Sequence, residues 1–254
     1  MEVCVDSVAS ARNAEKGGAA RLELCASLVE GGTTPSCGML QVMKRSVALP
    51  VFVMIRPRGG DFLYSPDEFD VMKQDITSLK QAGADGMVFG ILTPEGKVDI
   101  TRCKELVELS RPLPITFHRA IDMTEDIAEA LESIIATGCE RILTSGGEGT
   151  SVDGTTVIKQ LVSQAKGRIL VVPGGGITPE NLGRILDETG AGEFHGTARG
   201  KVESKMKFRK SGVTMGSAGD GTSEFAWKES SADIVRLMIT VAKEHGICTG
   251  SKPR

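Results

Sequence analysis

Two cysteines near the start of the chain, Cys4 and Cys25, are candidates for binding a soft metal ion. Each lies in or directly after a short apolar run, at residues 2–5 and 21–24. Runs of this length are typical of strands, and neighbouring strands lie about 4.8 Å apart. Because side chains alternate along a strand, both thiols are expected on one inward side, where two sulfur ligands suit Cu(I). Buried free cysteines are also common as small apolar groups, and from spacing alone that second interpretation is favoured.

A second group of residues has the chemistry of acid–base catalysis and of anion binding. His118 directly follows an apolar run, and a histidine at the end of a barrel strand is a good candidate for a general acid or base. Arg56 can hold a carboxylate or phosphate, and Glu23 or Asp6 can orient a group or act as a ligand. Hydrogen-bonded structural roles are the alternative; for Arg56 and Arg58 that role is to pair with Glu23 or Asp6 inside the barrel mouth. If the protein is an enzyme, the predicted catalytic residues are Asp6, Glu23, Arg56, His118, Asp122 and His195.

Glycines after the last two apolar runs predict an anion site. Glycine exposes backbone N–H groups, and a helix N-terminus beside them favours negative charge. The loops after strands 7 and 8 are also the usual place for a phosphate in a (β/α)8 barrel. A tight turn without a ligand is the alternative. The predicted anion-binding residues are Arg58, Ser145, Gly174, Gly175, Gly176, Gly196 and Thr197.

The elements that must position these residues are eight short apolar runs that alternate with helical stretches. The runs cover residues 2–5, 21–24, 51–55, 86–89, 115–117, 141–143, 169–172 and 193–194. Strand followed by helix, eight times in 254 residues, predicts an α/β protein with a (β/α)8 TIM barrel. We expect a single domain over residues 1–250 and a tail at 251–254. The site is then expected where the strands end and the βα loops begin.

One connection is much longer than the others. Residues 197–229 form an insertion between strand 8 and helix 8, whereas most βα loops are short. Five basic residues lie between Lys201 and Lys210, and apolar residues such as Met206, Phe208 and Trp227 are interspersed. A solvated loop is one interpretation. The other, which we predict, is that the segment packs over the barrel mouth or against a neighbouring subunit.

Composition excludes several classes of protein. Hydrophobic residues make up 40% and charged residues 25% of the chain, as in an ordinary globular protein. A net charge of −3 gives no general attraction to nucleic acid or acidic membranes, so neither is an expected partner. No apolar run approaches the roughly 18 residues of a membrane helix, and no signal peptide is expected. The six cysteines form no C-x-x-C pair, which argues against a zinc ribbon, and reduced thiols in the cytoplasm are expected.

Ten stretches of the sequence together form a specific pattern. They are Ile55-Arg56-Pro57-Arg58-Gly59-Gly60-Asp61-Phe62, Thr116-Phe117-His118-Arg119-Ala120-Ile121-Asp122, and residues 2–7, 21–25, 30–36, 143–146, 173–177, 193–195, 206–209 and 215–216. Through them the chain resembles the CutC copper-homeostasis family along nearly its whole length, most closely the vertebrate-like members.

The resemblance implies a (β/α)8 barrel, a homo-oligomer (dimer or tetramer), a cytoplasmic location with the nucleus as an additional compartment, and copper as partner. It implies one Cu(I) per subunit and shifts the balance toward Cys4 and Cys25 as its ligands. The alternative is a barrel enzyme acting on a small anionic or phosphorylated metabolite, with copper incidental.

Overall fold

Eight parallel strands curl into a barrel in the computed structural model, which describes residues 1–210, 213 and 224–247. Each strand pairs with its sequence neighbour, and β1 also pairs with β8. A parallel bridge between Gly174 and His195 closes the remaining gap between β7 and β8. The (β/α)8 architecture predicted from the strand–helix alternation is therefore confirmed. The strands are β1 (Glu2–Val5), β2 (Arg21–Leu24), β3 (Val51–Met54), β4 (Gly86–Phe89), β5 (Ile115–Phe117), β6 (Arg141–Thr144), β7 (Leu170–Pro173) and β8 (His195–Gly196).

A helix follows each strand, and local capping chemistry sets where several of them begin. Ser65 accepts a hydrogen bond from Glu68 N, and the Glu68 carboxylate accepts one from Ser65 N, so both ends of a capping box are formed. Short 3₁₀ turns at Leu28–Glu30 and Arg119–Met123 lie at the mouth. The helices are α1 (Val8–Gly17), α2 (Cys37–Ser46), α3 (Pro66–Gln81), α4 (Ile100–Ser110), α5 (Ile127–Thr137), α6 (Thr155–Ala165), α7 (Pro179–Thr189) and α8 (Ala232–Glu244).

The predicted strand bounds differ from the structure by one residue at β3, β6 and β7 and by two residues at β8. The last strand is expected at 193–194 but pairs with β1 at His195–Gly196, because backbone pairing continues past the last apolar side chain. Helix α2 begins at Cys37, two residues after Pro35, because the Ser36 side chain accepts the capping hydrogen bond from Met39 N. Hydrogen bonds, rather than side-chain hydrophobicity, therefore decide where these elements end.

Alternation along the strands separates two apolar clusters. Val3, Val5, Leu22 and Leu24 belong to the large core between the barrel and its surrounding helices. A second, smaller cluster lies inside the barrel and includes both candidate metal ligands. Its members are Cys4, Cys25, Phe52, Met54 and Val88, with Leu28 packed against them. The inward row expected from the period-2 pattern is thus the row that the structure buries in the barrel interior.

The described part of the insertion forms a hairpin. Strands β9 (Arg199–Glu203) and β10 (Ala226–Ser230) pair antiparallel. The base of the hairpin packs on α1, where Ser230 N donates to Ser10 Oγ and Asn13 Nδ2 donates to Ser230 O. Residues 215–216 and the expected tail 251–254 lie outside the described residues. Among the helices of the described ranges, none is long and apolar enough to cross a membrane.

Candidate functional site

A cavity of about 1070 Å³ lies at the C-terminal end of the barrel, formed by the ends of the strands and the βα loops. Its polar lining includes Glu23, Arg56, His118, Asp122 and His195, five of the six residues predicted to act in catalysis. Barrel enzymes and barrel ligand-binding proteins use this same face. The cavity thus lies at the end of the barrel where the sequence predicts the site, and its side chains decide what it can bind.

Cys4 lies in the floor of this cavity, and Cys25, which is just outside the lining, contacts it. Their Sγ atoms are 3.5 Å apart, and the Cys25 thiol also lies 3.5 Å from Glu23 Oε1. A disulfide would need about 2.05 Å, so both are free thiols. Metal–sulfur distances are about 2.3 Å, which lets two sulfurs at this separation reach one ion. Cys4, Glu23 and Cys25 offer ligand atoms that lie within 4.8 Å of one another.

Both thiols are protonated in the metal-free protein. The hydrogen bond that Cys4 donates to Cys25, burial and the nearby carboxylate of Glu23 raise the pKa of Cys4 well above its usual value. The hydrogen bond from Cys4 lowers the pKa of Cys25, but burial and Glu23 outweigh it and raise that pKa to about 11. A thiolate is the form that binds a metal ion. Metal binding here must therefore release protons.

His195 links the thiol pair to a buried carboxylate. Its Nδ1 lies 2.8 Å from Glu2 Oε1, and its Nε2 lies 3.9 Å from Glu23 Oε1. Burial opposes the imidazolium, but Glu23, Cys4 and Glu2 together raise the pKa of His195 well above its usual value. The bond to Glu2 fixes the ring so that its Nε2 edge faces Glu23. The structure thus places a cation beside the point where two thiolates would form.

Glu2 is the centre of a charged network in the lower half of the barrel. Its Oε2 accepts hydrogen bonds from Arg21 Nε at 2.6 Å and from Arg141 Nη2 at 3.0 Å. Glu193 accepts from the same two arginines. Burial alone would raise the pKa of Glu2, but Arg141, Arg21 and His195 hold it well below its usual range. Three carboxylates, counting Glu23, therefore meet three cations in the barrel interior.

Arg56 is buried, yet its guanidinium contacts carbonyl groups. Its Nη1 donates to the carbonyl oxygens of Glu30 and Gly32, and its Nη2 donates to that of Gly60. Its Nε has no partner among the described residues. The sequence suggested Glu23 or Asp6 as a structural counter-ion for this arginine. The structure instead surrounds it with loop carbonyls, so its charge is available to the cavity.

His118 is a neutral imidazole at the cavity wall. Burial, and then the charge of Arg56, lower the pKa of His118 to about 3. Its Nδ1 accepts a hydrogen bond from Ala120 N, so the ring proton sits on Nε2. Gly90 makes room for the ring, since a Cβ at that position would lie 2.8 Å from its Cε1. At neutral pH this geometry supports a hydrogen-bond donor more directly than a general base.

Asp122 and Ser145 hold the loop after β6. The Asp122 carboxylate accepts from Thr144 Oγ1, Ser145 N and Arg119 Nε, and Ser145 Oγ lies 2.9 Å from Asp122 Oδ2. Arg119 Nη2 donates to Ser145 Oγ at 2.6 Å. These contacts leave Asp122 little capacity for another partner. They position Arg119, which also lines the cavity.

Five of the predicted residues lie outside the cavity lining: Cys25, Ser145, Gly174 and the charged residues Arg58 and Asp6. The Arg58 guanidinium binds Glu68 Oε1 at 2.5 Å and Asp61 Oδ1 at 3.0 Å on the loop before α3. Asp6 is half-buried and lies 3.7 Å from Arg199 Nη1. The structure therefore brings neither side chain together with the thiol pair, although Arg199 itself reaches the cavity from the insertion.

The predicted anion-binding residues after β7 and β8 do not all line the cavity. Gly175, Gly176, Gly196 and Thr197 line the cavity. Gly174 does not; it closes the barrel against His195, and a Cβ there would lie 2.5 Å from Leu143 Cδ1. The glycine at this position serves close packing of the strands. An anion in these loops remains a prediction for the other four residues.

Several residues of the site were not in the predicted set. Met54 lies in the same inward row as Phe52 and Arg56, and that alternation was the signal that could have found it. Glu2 also lies in an inward row, but its role as a centre for three cations depends on β6 and β8. Arg199 gave no sequence signal, because its position depends on the path of the insertion.

Comparison with known proteins assigns the chain to a family. A model of the CutC family matches residues 1–200. The chain is 58% identical over 244 residues to the copper homeostasis protein cutC homolog of Mus musculus. The aligned region covers 96% of this chain and 89% of that protein. The Homo sapiens homolog is 57% identical over 243 residues, with 96% and 89% covered. The crystal structure of CutC from Streptococcus agalactiae matches with a TM-score of 0.74 at 35% identity and covers 77% of this chain and 97% of that one. The chain belongs to the CutC family, a family named for copper homeostasis.

Proposed function

We propose that this protein binds one Cu(I) ion per subunit through the thiols of Cys4 and Cys25. The observation that carries the proposal is the 3.5 Å separation of two buried, reduced sulfur atoms on adjacent strands. Soft sulfur ligands select Cu(I) over hard cations such as Mg²⁺. Met54 packs in the same buried cluster and brings a thioether, another soft group, close to the pair. Copper is the cargo of such a protein.

The electrostatics of the barrel interior fit this proposal. With both thiols protonated, the nearby carboxylates and cations balance one another. Two thiolates with one Cu(I) add a single negative charge, and the raised pKa of His195 keeps a cation beside it. Glu23 Oε2 is buried and has no partner within the described ranges. An ion bound at the thiols would give this orphaned oxygen a positive neighbour.

The role of Cys4 and Cys25 as copper ligands can be tested by replacing them and, separately, a control pair of buried cysteines. We expect the Cys4→Ala, Cys25→Ala variant to bind Cu(I) at least about a hundredfold more weakly, since even outer-shell changes cost up to that much. Cu(I) affinity is measured anaerobically by competition with a chromogenic chelator. The Cys103→Ala, Cys139→Ala variant is the control, because those thiols are also buried but lie outside the cavity. Equal losses in both variants, or tighter binding of Zn²⁺ than of Cu(I), would contradict the assignment.

The same site predicts a steep dependence of Cu(I) affinity on pH. Each thiol must lose its proton on binding, and the pKa of Cys25 is raised to about 11 while that of Cys4 is raised well above normal. Affinity is therefore expected to increase by up to about tenfold per pH unit for each thiol between pH 6 and pH 9. Chelator competition at several pH values measures the slope. A flat profile would mean that these thiols are not the ligands.

A second candidate function is an enzyme acting on a small anionic metabolite, with copper incidental. One observation favours it: the cavity of about 1070 Å³ is far larger than a metal ion needs and matches the size of small-molecule sites. A ligand that binds only the folded state must raise its stability. Thermal-shift screening of phosphorylated and carboxylated metabolites tests this function, and no stabilisation at millimolar ligand would argue against it.

A further inference from the structure

Two buried donors at the cavity wall lack hydrogen-bond acceptors among the residues that the structure describes. They are Arg56 Nε and His118 Nε2, and both residues line the cavity. The ring of Phe62 lies against both, with its centroid 5.0 Å from Arg56 Cζ and 4.8 Å from the imidazole centroid of His118. Buried N–H groups are nearly always paired, with protein, water or ligand. The Tyr64 hydroxyl lies within reach of the Arg56 side chain. His118 Nε2 is therefore the donor that most directly indicates an acceptor not supplied by the described residues.

The charge of the surrounding side chains restricts which chemical group can be that acceptor. Arg56 is 5% exposed and always charged, and the partners of its Nη atoms are uncharged carbonyl oxygens. The His118 ring beside it is neutral at physiological pH. At these two side chains the subsite thus offers one positive charge and two unpaired donor atoms. A group with one negative charge and two acceptor oxygens matches it, whereas a metal cation would be repelled and a phosphate dianion would exceed its charge.

The rest of the cavity indicates what the anionic group is attached to. A large part of its wall is apolar, which favours a hydrocarbon body over a compact polyanion. This wall runs from the thiol floor to α8 and differs in character from the Arg56 corner. Its residues include Leu28, Met54, Met123, Leu143, Ile177 and Met238.

We propose that the cavity binds a small organic monocarboxylate, whose carboxylate accepts hydrogen bonds from Arg56 Nε and His118 Nε2 while its apolar body lies along the Met54–Met238 wall. This goes beyond Cu(I) binding. It rests on the second candidate function only in requiring an organic ligand in the cavity, and it requires no catalysis. The carbonyls around the guanidinium and the packing of the ring on Gly90 hold both donor side chains in defined positions before a ligand binds.

The test compares carboxylates with their uncharged amides on the metal-free full chain. The probes are benzoate and 3-phenylpropanoate, each paired with its amide, and inorganic phosphate. Binding is followed by NMR of ¹⁵N-labelled histidine, which is simple to assign because the chain has 3 histidines. We expect saturable binding of at least one carboxylate with a shift of the His118 Nε2 signal. The amides are expected to bind at least about tenfold more weakly because they carry no charge for a charge-assisted bond. Inorganic phosphate is expected to bind at least about tenfold more weakly because it has no apolar body to lie along the wall.

Variants locate the carboxylate. Arg56→Met and His118→Phe are each expected to weaken carboxylate binding at least about tenfold. Arg102→Met is the control, since that arginine contacts Tyr64 O and Asp99 away from the cavity. His118→Phe keeps an aromatic ring against Phe62 and Phe117, so it tests the subsite even if Arg56→Met does not fold.

Three results would overturn the inference: equal binding of acids and amides, unchanged affinity in His118→Phe, or no saturable binding of either acid up to about 10 mM. The last would mean that ordered water alone satisfies the two donors. The outcome is separable from that of the copper site. Cys4→Ala, Cys25→Ala is expected to retain carboxylate binding, and His118→Phe is expected to retain Cu(I) binding.

Discussion

Replacing Glu2 by glutamine is expected to lower the free energy of unfolding by about 3–5 kcal/mol, because it leaves buried cations without their shared counter-ion. Arg21, Arg141 and His195 all contact the Glu2 carboxylate, which is 1% exposed. Glutamine preserves the shape but places an amide group where donors already converge. Urea unfolding at pH 7 measures the loss. NMR titration should also show a lower pKa for His195, since Glu2 is one of the groups that raise it.

The matched control is an exposed carboxylate. Glu132 binds Arg168 at 2.7 Å, a geometry similar to that of Glu2 and Arg21, but both partners are largely solvated. Exposed pairs contribute little to stability, so Glu132→Gln is expected to leave the urea midpoint nearly unchanged. If the two variants shifted the urea midpoint equally, burial of the Glu2 network would not explain its contribution to stability.

Acid is expected to destabilise the protein through His118 well before the carboxylates are protonated. The pKa of His118 is about 3 in the folded protein and near 6.5 when unfolded, so below pH 6.5 the unfolded chain binds a proton that the folded chain does not. His118 therefore leaves stability fully intact above its unfolded pKa and reduces it as the pH falls toward 3. Between pH 7 and pH 5 the expected loss from this residue is about 2 kcal/mol.

Urea unfolding of the wild type and His118→Phe at both pH values isolates this contribution. The wild type is expected to lose about 2 kcal/mol more than the variant between pH 7 and pH 5. His195 has a raised pKa, so its stabilisation is complete below pH 6.5 and is lost at higher pH; it is common to both proteins and cancels. Glu2, with a lowered pKa, loses its contribution only below about pH 4.5, outside this range. Parallel losses in the two proteins would show that His118 is already protonated or solvated.

Local patterns in the sequence were sufficient for the architecture. Alternating side chains placed Cys4 and Cys25 on the inward side, opposite Val3 and Val5, because a strand has a period of two residues whatever it pairs with. Ser65 and Glu68 set the start of α3 by local chemistry, because a capping box is completed within four residues. Such features depend on contacts near in sequence, so they can be derived without knowing the fold in detail.

The chemistry of the site was decided by barrel closure. Glu2 meets Arg141 and His195 across 139 and 193 residues of sequence, and these contacts exist only because β8 pairs with β1 and all strands share one axis. The alternation of side chains along a strand tells which ones point into the barrel. It does not tell how far along the barrel axis they lie or which residues they contact. For the same reason Arg56 was expected to pair with a carboxylate, whereas the loops that carry Glu30, Gly32 and Gly60 fold over it and present carbonyls. The sequence alone thus determined the barrel and the inward thiols, while tertiary packing decided which charges are neutralised and which face the cavity.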